Sequence, residues 1–174
     1  MARLVALGYR QTHGVNYYET YSPVANMNSV RVFIALFCHF EVIIHQYDVE
    51  TAFLNGVLEK DVYISTPQGV NMDPNQVLKL IRSLYGLKQA AATWFKTILN
   101  VFLKMGSVPC VSDPCVFVRH DENLSWTCVM LHVDDLLIEG TFANLIDEVA
   151  DELASHFKLK TLGNVRFILG IEVE

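Results

Sequence analysis

Hydrophobic and polar positions along the chain follow two periods, and together they predict a mixed α+β fold. Apolar side chains recur every three or four residues over 28–39, 89–105 and 141–157, which is typical of amphipathic helices. Shorter apolar runs between and around them predict β-strands at 3–9, 41–49, 62–65, 77–81, 116–118, 126–133 and 165–173.

The order of these elements predicts a topology. A strand ending near residue 48 is followed by the helix 89–105, two strands within 113–133 and the helix 141–157. This is the order of a split β-α-β sheet with antiparallel pairing. In that topology the end of the first strand and the later central hairpin can be neighbours.

Polar residues and a glycine mark the expected helix ends. Asn28 or Ser29 is expected to cap the first helix, and Thr141 the third. Gly106 follows the second helix and suits a C-terminal cap.

Composition bounds the class of protein. The 174 residues are enough for one well-buried domain, with room for a small lobe, and 52% of them are hydrophobic. The apolar run 32–38 is far too short to span a bilayer, so we expect no membrane-spanning segment.

The four cysteines, Cys38, Cys110, Cys115 and Cys128, form no CxxC pair. Cys110, Cys115 and His120 resemble a metal knuckle, but their spacing fits no common zinc pattern. We therefore expect buried thiols in a reducing compartment.

Charge is unevenly distributed. The net charge is −6, which argues against nucleic-acid binding, yet residues 74–112 hold five Lys and Arg and no Asp or Glu. This basic block could follow a phosphate backbone, or it could be the solvated face of a helix.

The segment 129–138 carries the first candidate chemistry. Asp134 and Asp135 lie in the middle of an apolar run, which predicts two short strands joined by a tight turn at these two residues. Buried carboxylates are unfavourable unless they are neutralised or face divalent cations. Because Asp is also a common turn residue, an ordinary hairpin is the alternative.

A third carboxylate, Asp48, ends the apolar run 41–49. In the predicted topology it could meet Asp134 and Asp135 and complete a metal site. Its alternative role is to cap the helical turn expected over 50–56.

Six segments resemble the reverse transcriptases of copia-type LTR retrotransposons, and they occur in the same order. They are RLVALGY (3–9), YETYSPV (18–24), DVETAFLNG (48–56), LYGLKQA (84–90), HVDD (132–135) and FILGIE (167–172). The resemblance covers nearly the whole chain and is far more specific than the Asp-Asp pair alone.

The resemblance implies the fingers and palm of a right-hand polymerase without its thumb. The fingers would comprise about 1–40 and 57–88, and the palm about 41–56 and 89–174. The palm would be an antiparallel split β-α-β sheet with helices on one face.

It also implies an RNA-directed DNA polymerase that adds dNTPs to a primer 3′-OH. Asp48, Asp134 and Asp135 would be the catalytic, metal-binding carboxylates, with the Val49 carbonyl as a further ligand. Two Mg²⁺ ions, or Mn²⁺ as a substitute, would be the cofactors.

Other roles follow from the same resemblance. Arg3, Phe53, Tyr85, Gly86 and Lys88 would bind the nucleotide, with Phe53 excluding a 2′-OH. Simple core packing is the alternative for Phe53. The residues expected at the primer and template are His132, Leu169 and Gly170.

The implied partners are an RNA or DNA template with its primer, dNTPs, and the thumb, RNase H and integrase parts of a retrotransposon polyprotein. The implied location is a cytoplasmic virus-like particle. A non-catalytic nucleic-acid-binding module and a nucleotide cyclase are the competing classes.

Three departures from the family pattern bear on activity. His132 stands where the family usually has Tyr, Ala91-Ala92-Thr93 where it usually has Pro-Arg-Ala, and Leu7 where Arg is frequent. The carboxylate triad is intact, but a basic residue is lost. We expect a fragment or decayed copy that is weakly active or inactive alone.

Overall fold

A computed structural model describes residues 4–40, 42–67, 69–71, 73, 75–120 and 124–173 of the chain. None of the helices within these ranges is long and apolar enough to cross a membrane.

The chain divides into two compact units, Met1–Ser22 with Ala52–Ile98 (unit 1) and Pro23–Thr51 with Leu99–Glu174 (unit 2). The helices are α1 (Met27–His39), α2 (Ala90–Lys104) and α3 (Ala143–His156). The strands are β1 (His45–Val49), β2 (Val57–Ser65), β3 (Val77–Arg82), β4 (Val108–Pro109), β5 (Val116–His120), β6 (Trp126–His132), β7 (Asp135–Gly140), β8 (Leu159–Asn164), β9 (Phe167–Ile168) and β10 (Ile171–Glu172).

Unit 2 is built on a six-stranded antiparallel sheet with the order β4-β5-β6-β7-β1-β8. Strand β1, which carries Asp48 next to its last residue, pairs with β7 on one side and β8 on the other. As the topology predicted, β1 is therefore the neighbour of the carboxylate hairpin β6–β7.

Side-chain alternation gives this sheet two different faces. On one face, Phe102 of α2 stacks on Phe117 with ring centroids 4.3 Å apart, and Gly140 lies against Ile146 of α3. On the opposite face, Phe37 of α1 stacks on Trp126 at 5.5 Å. The expectation of helices on one face alone is therefore wrong for α1.

Unit 1 contains the antiparallel hairpin β2–β3 and the first part of α2. Its small core is formed by Val62, Leu87 and Ala90, against which Phe53 and Leu58 pack partly buried. This core holds the 3-10 turn Ala52–Asn55 beside the hairpin.

The predicted helices and most predicted strands are present, but one strand prediction was wrong and two were wrong in extent. The described part of 3–9 forms no strand; its backbone turns at Gly8, whose N–H donates to the carbonyl of Ala6. Strand β1 starts only at His45. The segment 165–173 is broken by a turn at Leu169 and Gly170, both with positive φ.

Two predicted helix caps were also wrong. The α1 cap is Asn26, whose side chain accepts a hydrogen bond from the N–H of Asn28 (2.9 Å). The Thr141 hydroxyl does not cap α3; it accepts from the N–H of Trp126 (2.9 Å) and so closes the end of the β6–β7 hairpin.

A buried carboxylate, Asp113, ties the start of α1 to the loop before β5. Its oxygens accept from the backbone N–H of Asn26 (2.9 Å) and of Cys115 (2.9 Å). Burial raises the pKa of Asp113, but these bonds and one from Ser29 outweigh it and hold the pKa below its usual range.

Asp113→Ala should lower the free energy of unfolding by about 2–4 kcal/mol, because it leaves buried N–H groups without an acceptor. Urea unfolding at neutral pH measures the effect. Asp147→Ala, at an exposed position of α3, should stay within about 0.5 kcal/mol of the wild type. Equal losses in the two variants would contradict the role given to Asp113.

Candidate active site

Four polar side chains form one row across strands β6, β7, β1 and β8, at the end of the unit 2 sheet where the β6–β7 hairpin turns. The strand registers pair His132 with Asp135, Asp135 with Asp48, and Asp48 with Lys160. Residues directly opposite each other on antiparallel strands share a face. Two carboxylates therefore lie side by side, flanked by an imidazole and an ammonium group.

The third carboxylate, Asp134, lies in the turn of the β6–β7 hairpin. The turn consists of Val133 and Asp134, because Asp135 already pairs with His132 as the first residue of β7. The expectation of a turn at Asp134-Asp135 was therefore displaced by one residue. The Asp134 carbonyl accepts from the Val49 N–H at 2.8 Å, which ties the turn to the end of β1.

The hairpin turn is strained. Val133 has φ of 60°, in the left-handed region that β-branched residues rarely adopt. Such a conformation costs on the order of 1–3 kcal/mol and persists only where surrounding structure imposes it. Here the β6–β7 pairing and the bond to Val49 impose it.

Mutual repulsion and burial perturb the paired carboxylates. The pKa of Asp48 is raised by burial and by the charge of Asp134, while Lys160 acts in the opposite direction. The pKa of Asp135 is raised by burial, Asp134 and Asp48, and His132 opposes the rise. Both groups would accept a nearby cation readily, because it would relieve this repulsion.

Two side chains next to the carboxylates have contrasting hydrogen bonding. The Gln46 amide lies 3.5 Å from Oδ1 of Asp135, a long hydrogen bond that favours the charged carboxylate. The Nδ1 atom of His132 is buried and has no hydrogen-bond partner among the described residues.

Three carboxylates within electrostatic reach are the hard oxygen donors that Mg²⁺ prefers, so the donor set fits this cation. Across the described ranges, however, no group of three or more His, Cys, Asp or Glu side chains is arranged to hold a metal ion. The structure therefore brings together the Asp48–Asp135 pair, with Asp134 beside it, rather than a closed cage.

The residues expected at the nucleotide lie in unit 1. The rings of Phe53 and Tyr85 are in tilted contact, 5.1 Å apart. Gly86 has φ of 88°, and a Cβ there would overlap the Ala6 carbonyl oxygen, so only glycine fits. Lys88 extends over the ring of Tyr17, 5.1 Å from its centroid.

The remaining expected site residues lie elsewhere. Leu169 and Gly170 form the turn of the β9–β10 hairpin in unit 2, with φ of 50° and 79°. Arg3 lies outside the described residues.

Sequence reasoning missed Gln46 and Lys160 as neighbours of the paired carboxylates. Gln46 was within reach, since it lies two positions before Asp48 and a strand places both side chains on one face. Lys160 had no local signal, because only the β1–β8 register brings it opposite Asp48.

A further carboxylate on the same face of β7, Glu139, is almost completely buried at 1% exposure. Its Oε1 accepts from the Gly140 N–H at 2.8 Å, whereas Oε2 has no partner in the part of the chain that the structure describes. Burial raises the pKa of Glu139 to about 7.

An antiparallel α+β chain with paired carboxylates at a central hairpin is compatible with a nucleic-acid polymerase of the reverse transcriptase class. Comparison with known proteins agrees: residues 1–174 match the family described as "Reverse transcriptase (RNA-dependent DNA polymerase)". The chain belongs to this family, and its relatives confirm the copia-type resemblance.

Among these relatives, the Retrovirus-related Pol polyprotein from transposon RE1 of Arabidopsis thaliana is 41% identical over 175 residues, covering 99% of this chain and 12% of the relative. The Retrovirus-related Pol polyprotein from transposon TNT 1-94 of Nicotiana tabacum is 36% identical over 174 residues, covering 99% of this chain and 13% of the relative. The Transposon Ty1-H Gag-Pol polyprotein of Saccharomyces cerevisiae is 26% identical over 186 residues, covering 99% of this chain and 10% of the relative. No solved structure matches the chain.

The chain thus spans about an eighth of the length of the plant relatives, which are larger Pol polyproteins. Sequence similarity along the whole chain shows the family.

Glu139 should make stability fall as pH rises. Between its ordinary pKa of 4.5 and its folded pKa of about 7, the unfolded chain loses the proton while the folded chain keeps it. The contribution of Glu139 to the free energy of unfolding is complete below pH 4.5. It is lost as the pH rises through 7, and the difference is roughly 3 kcal/mol.

Urea midpoints measured from pH 4.5 to 8 test this expectation. Glu139→Gln should flatten the profile substantially, with the residual slope coming from Asp48 and Asp135, whose pKa values are also raised. Glu172→Gln, at an exposed position of β10, should keep the wild-type slope. A Glu139→Gln profile parallel to the wild type would show that Glu139 is not the titrating group.

Proposed function

We propose that this chain is the RNA-directed DNA polymerase domain of a copia-type retrotransposon polyprotein. It would add dNTPs to a primer 3′-OH by two-metal phosphoryl transfer on an RNA or DNA template. The observation that carries the proposal is the β1–β7 register, which sets Asp48 directly opposite Asp135 with Asp134 in the adjoining turn.

In this proposal Asp48, Asp134 and Asp135 hold two divalent cations, with the Val49 carbonyl as a further ligand. Bound Mg²⁺ would supply charge stabilisation for the attacking and leaving oxygens of the transfer. The chain's own contribution is to hold three carboxylates at one end of a rigid sheet. Positioning and electrostatics are what this chemistry chiefly requires.

We further propose that unit 1 corresponds to the fingers and unit 2 to the palm, although the unit boundaries differ from those expected. The nucleotide-binding roles of Arg3, Phe53, Tyr85, Gly86 and Lys88 are part of the proposal by resemblance. So are the primer and template roles of His132, Leu169 and Gly170.

The proposed activity of the isolated chain is weak. The family positions now occupied by Ala91-Ala92-Thr93 lack a cation that could contact nucleic acid, and His132 replaces an aromatic hydroxyl. The thumb, RNase H and integrase regions of a Pol polyprotein are the proposed partners in the full protein.

Asp48→Asn should reduce Mg²⁺-dependent primer extension by about 100-fold or more, because one of the charges that would balance the cations is lost. It should also weaken Mn²⁺ binding, followed by electron paramagnetic resonance of the free ion, which does not depend on turnover. Asp147→Asn, on the exposed surface of α3, is the matched control and should change neither measurement.

Retention of both extension and Mn²⁺ binding by Asp48→Asn would overturn the assignment of this residue. A folded wild type that binds nucleic acid but neither binds Mn²⁺ nor extends a primer would instead identify a non-catalytic binding remnant.

Phe53→Ala tests whether this ring excludes ribonucleotides. If it does, the variant should use rNTPs about tenfold more efficiently relative to dNTPs, because space for a 2′-OH opens. Leu58→Ala removes a side chain packed on the same small core and should lower stability without changing the sugar preference. Equal sugar preference in wild type and Phe53→Ala would leave Phe53 a packing residue.

A further inference from the structure

Gln46 is a buried polar residue beside the carboxylates, and the proposed catalysis assigns it no role. It is 9% exposed and lies two residues before Asp48 on β1. Because side chains alternate along a strand, Gln46 and Asp48 lie on the same face of the unit 2 sheet. A buried amide needs a polar partner, and Gln46 has one in Asp135.

The contact between Gln46 and Asp135 runs diagonally across two neighbouring strands. Gln46 pairs with Leu137 of β7, and Asp135 lies two residues before Leu137 on that strand. Diagonal neighbours of this kind are within reach of a long side chain. The Nε2 group of Gln46 donates to Oδ1 of Asp135 at 3.5 Å. An ionised carboxylate only accepts hydrogen bonds, so the nitrogen end of the amide must face it.

On the β8 side, Gln46 lies at an irregularity of the sheet. It pairs with Gly163, whereas the next residue, Tyr47, pairs with Thr161, so Leu162 is an extra residue on β8. Such β-bulges are frequent next to active sites, where they re-aim side chains. Gly163 brings no side chain to this position, and a cavity of about 600 Å³ adjoins Gln46 there. The other residues that line it are Leu162, Gly163, Asn164, Arg166 and Phe167. The amide thus has open space towards β8 and contacts Asp135 towards β7.

Repulsion gives this contact a physical purpose. The charges of Asp134 and Asp48 both act on the Asp135 carboxylate. Like charges directly opposite each other on a sheet are unfavourable, so Asp135 would gain by rotating away from Asp48. A hydrogen bond from Gln46 to Oδ1 opposes that rotation and fixes the plane of the carboxylate. Two carboxylates then stay close enough to share a cation.

We propose that Gln46 is a positioning residue, which holds the Asp135 carboxylate in the orientation that binds a divalent cation. This inference deepens the proposed function and rests on it for the identity of the site. Hydrogen bonds from outside the ligand set orient metal-binding carboxylates, and their loss typically weakens metal binding by about 10–100-fold. The bond is long compared with the ~2.8 Å typical of a charged acceptor, so we expect the lower end of this range.

Binding of Mn²⁺ to the 174-residue chain, followed by electron paramagnetic resonance of the free ion, tests this role without turnover. Gln46→Met removes the amide but keeps a side chain of similar size, and it should weaken Mn²⁺ binding about tenfold. Gln46→Asn keeps an amide on a side chain that is shorter by one methylene. Its donor should fall short of Asp135, so the same loss is expected, and it serves as the second variant if Gln46→Met does not fold.

A double-mutant cycle separates positioning from a general effect on the sheet. If Gln46 acts through Asp135, Gln46→Met should cost less than twofold in an Asp135→Ala background, where the acceptor is absent. In an Asp48→Asn background the loss should remain about tenfold, because the contact with Asp135 is still present. Altered packing of the sheet would instead cause equal losses in all backgrounds.

Gln89→Met is the matched control, because it also removes the amide of a buried glutamine. Gln89 accepts from Gln11 (2.9 Å) and donates to the Asn16 carbonyl (3.1 Å), and all three residues belong to unit 1. The variant should lower the urea midpoint but leave Mn²⁺ affinity within twofold of the wild type. Circular dichroism and urea unfolding establish that every variant is folded.

The proposal is overturned if folded Gln46→Met and Gln46→Asn bind Mn²⁺ like the wild type. It is also overturned if the loss is as large in the Asp135→Ala background, or if Gln89→Met loses as much affinity. A wild type that does not bind Mn²⁺ overturns it together with the two-metal mechanism. A wild type whose Mn²⁺ binding depends on Gln46 as expected, but which extends no primer, supports this proposal and contradicts only the polymerase activity.

Discussion

The antiparallel register of β1 against β7 is the constraint on which the site depends. It sets Asp48 opposite Asp135 at the ends of two inner strands, an arrangement that like charges oppose. The apolar face holds the register: Tyr47 pairs with Leu136, and both are buried. A slip by one residue would exchange the two faces and bury the carboxylates among apolar side chains. Apolar packing on one face therefore fixes the positions of the carboxylates on the other.

Unfavourable features are concentrated around this register. Val133 has a left-handed backbone, Glu139 is buried with one oxygen unpartnered among the described residues, and the pKa values of Asp48 and Asp135 are raised. Elsewhere in unit 2, buried charge is well satisfied, as the three hydrogen-bond partners of Asp113 show. Strain and repulsion of this kind persist only where surrounding structure imposes them, and they are typical of functional sites.

The two units contribute different physical properties. Unit 2 supplies a rigid sheet with an excess of acid, which suits cations. Unit 1 holds seven Lys and Arg against four Asp and Glu, and its loop with Gln11 and Asn16 is anchored by the buried Gln89. Family membership is established by sequence along the whole chain, but a fold does not assign residue roles. The roles proposed for the carboxylates are supported by the geometry of unit 2, and those proposed for the unit 1 residues are supported by resemblance.

The sequence by itself determined the three helices, most of the strands and the candidate chemistry. Helical periodicity located all three helices, and the apolar runs ending at Asp48 and surrounding Asp134 and Asp135 marked the carboxylates, because these signals depend on neighbours in the chain. Tertiary structure alone decided that Lys160 and His132 flank the Asp48–Asp135 pair, that the turn lies at Val133 and Asp134, and that the segment 165–173 breaks into a hairpin. The reason is physical: register, strain and cross-strand charge arise from pairing between distant segments, and no local pattern of residues specifies them.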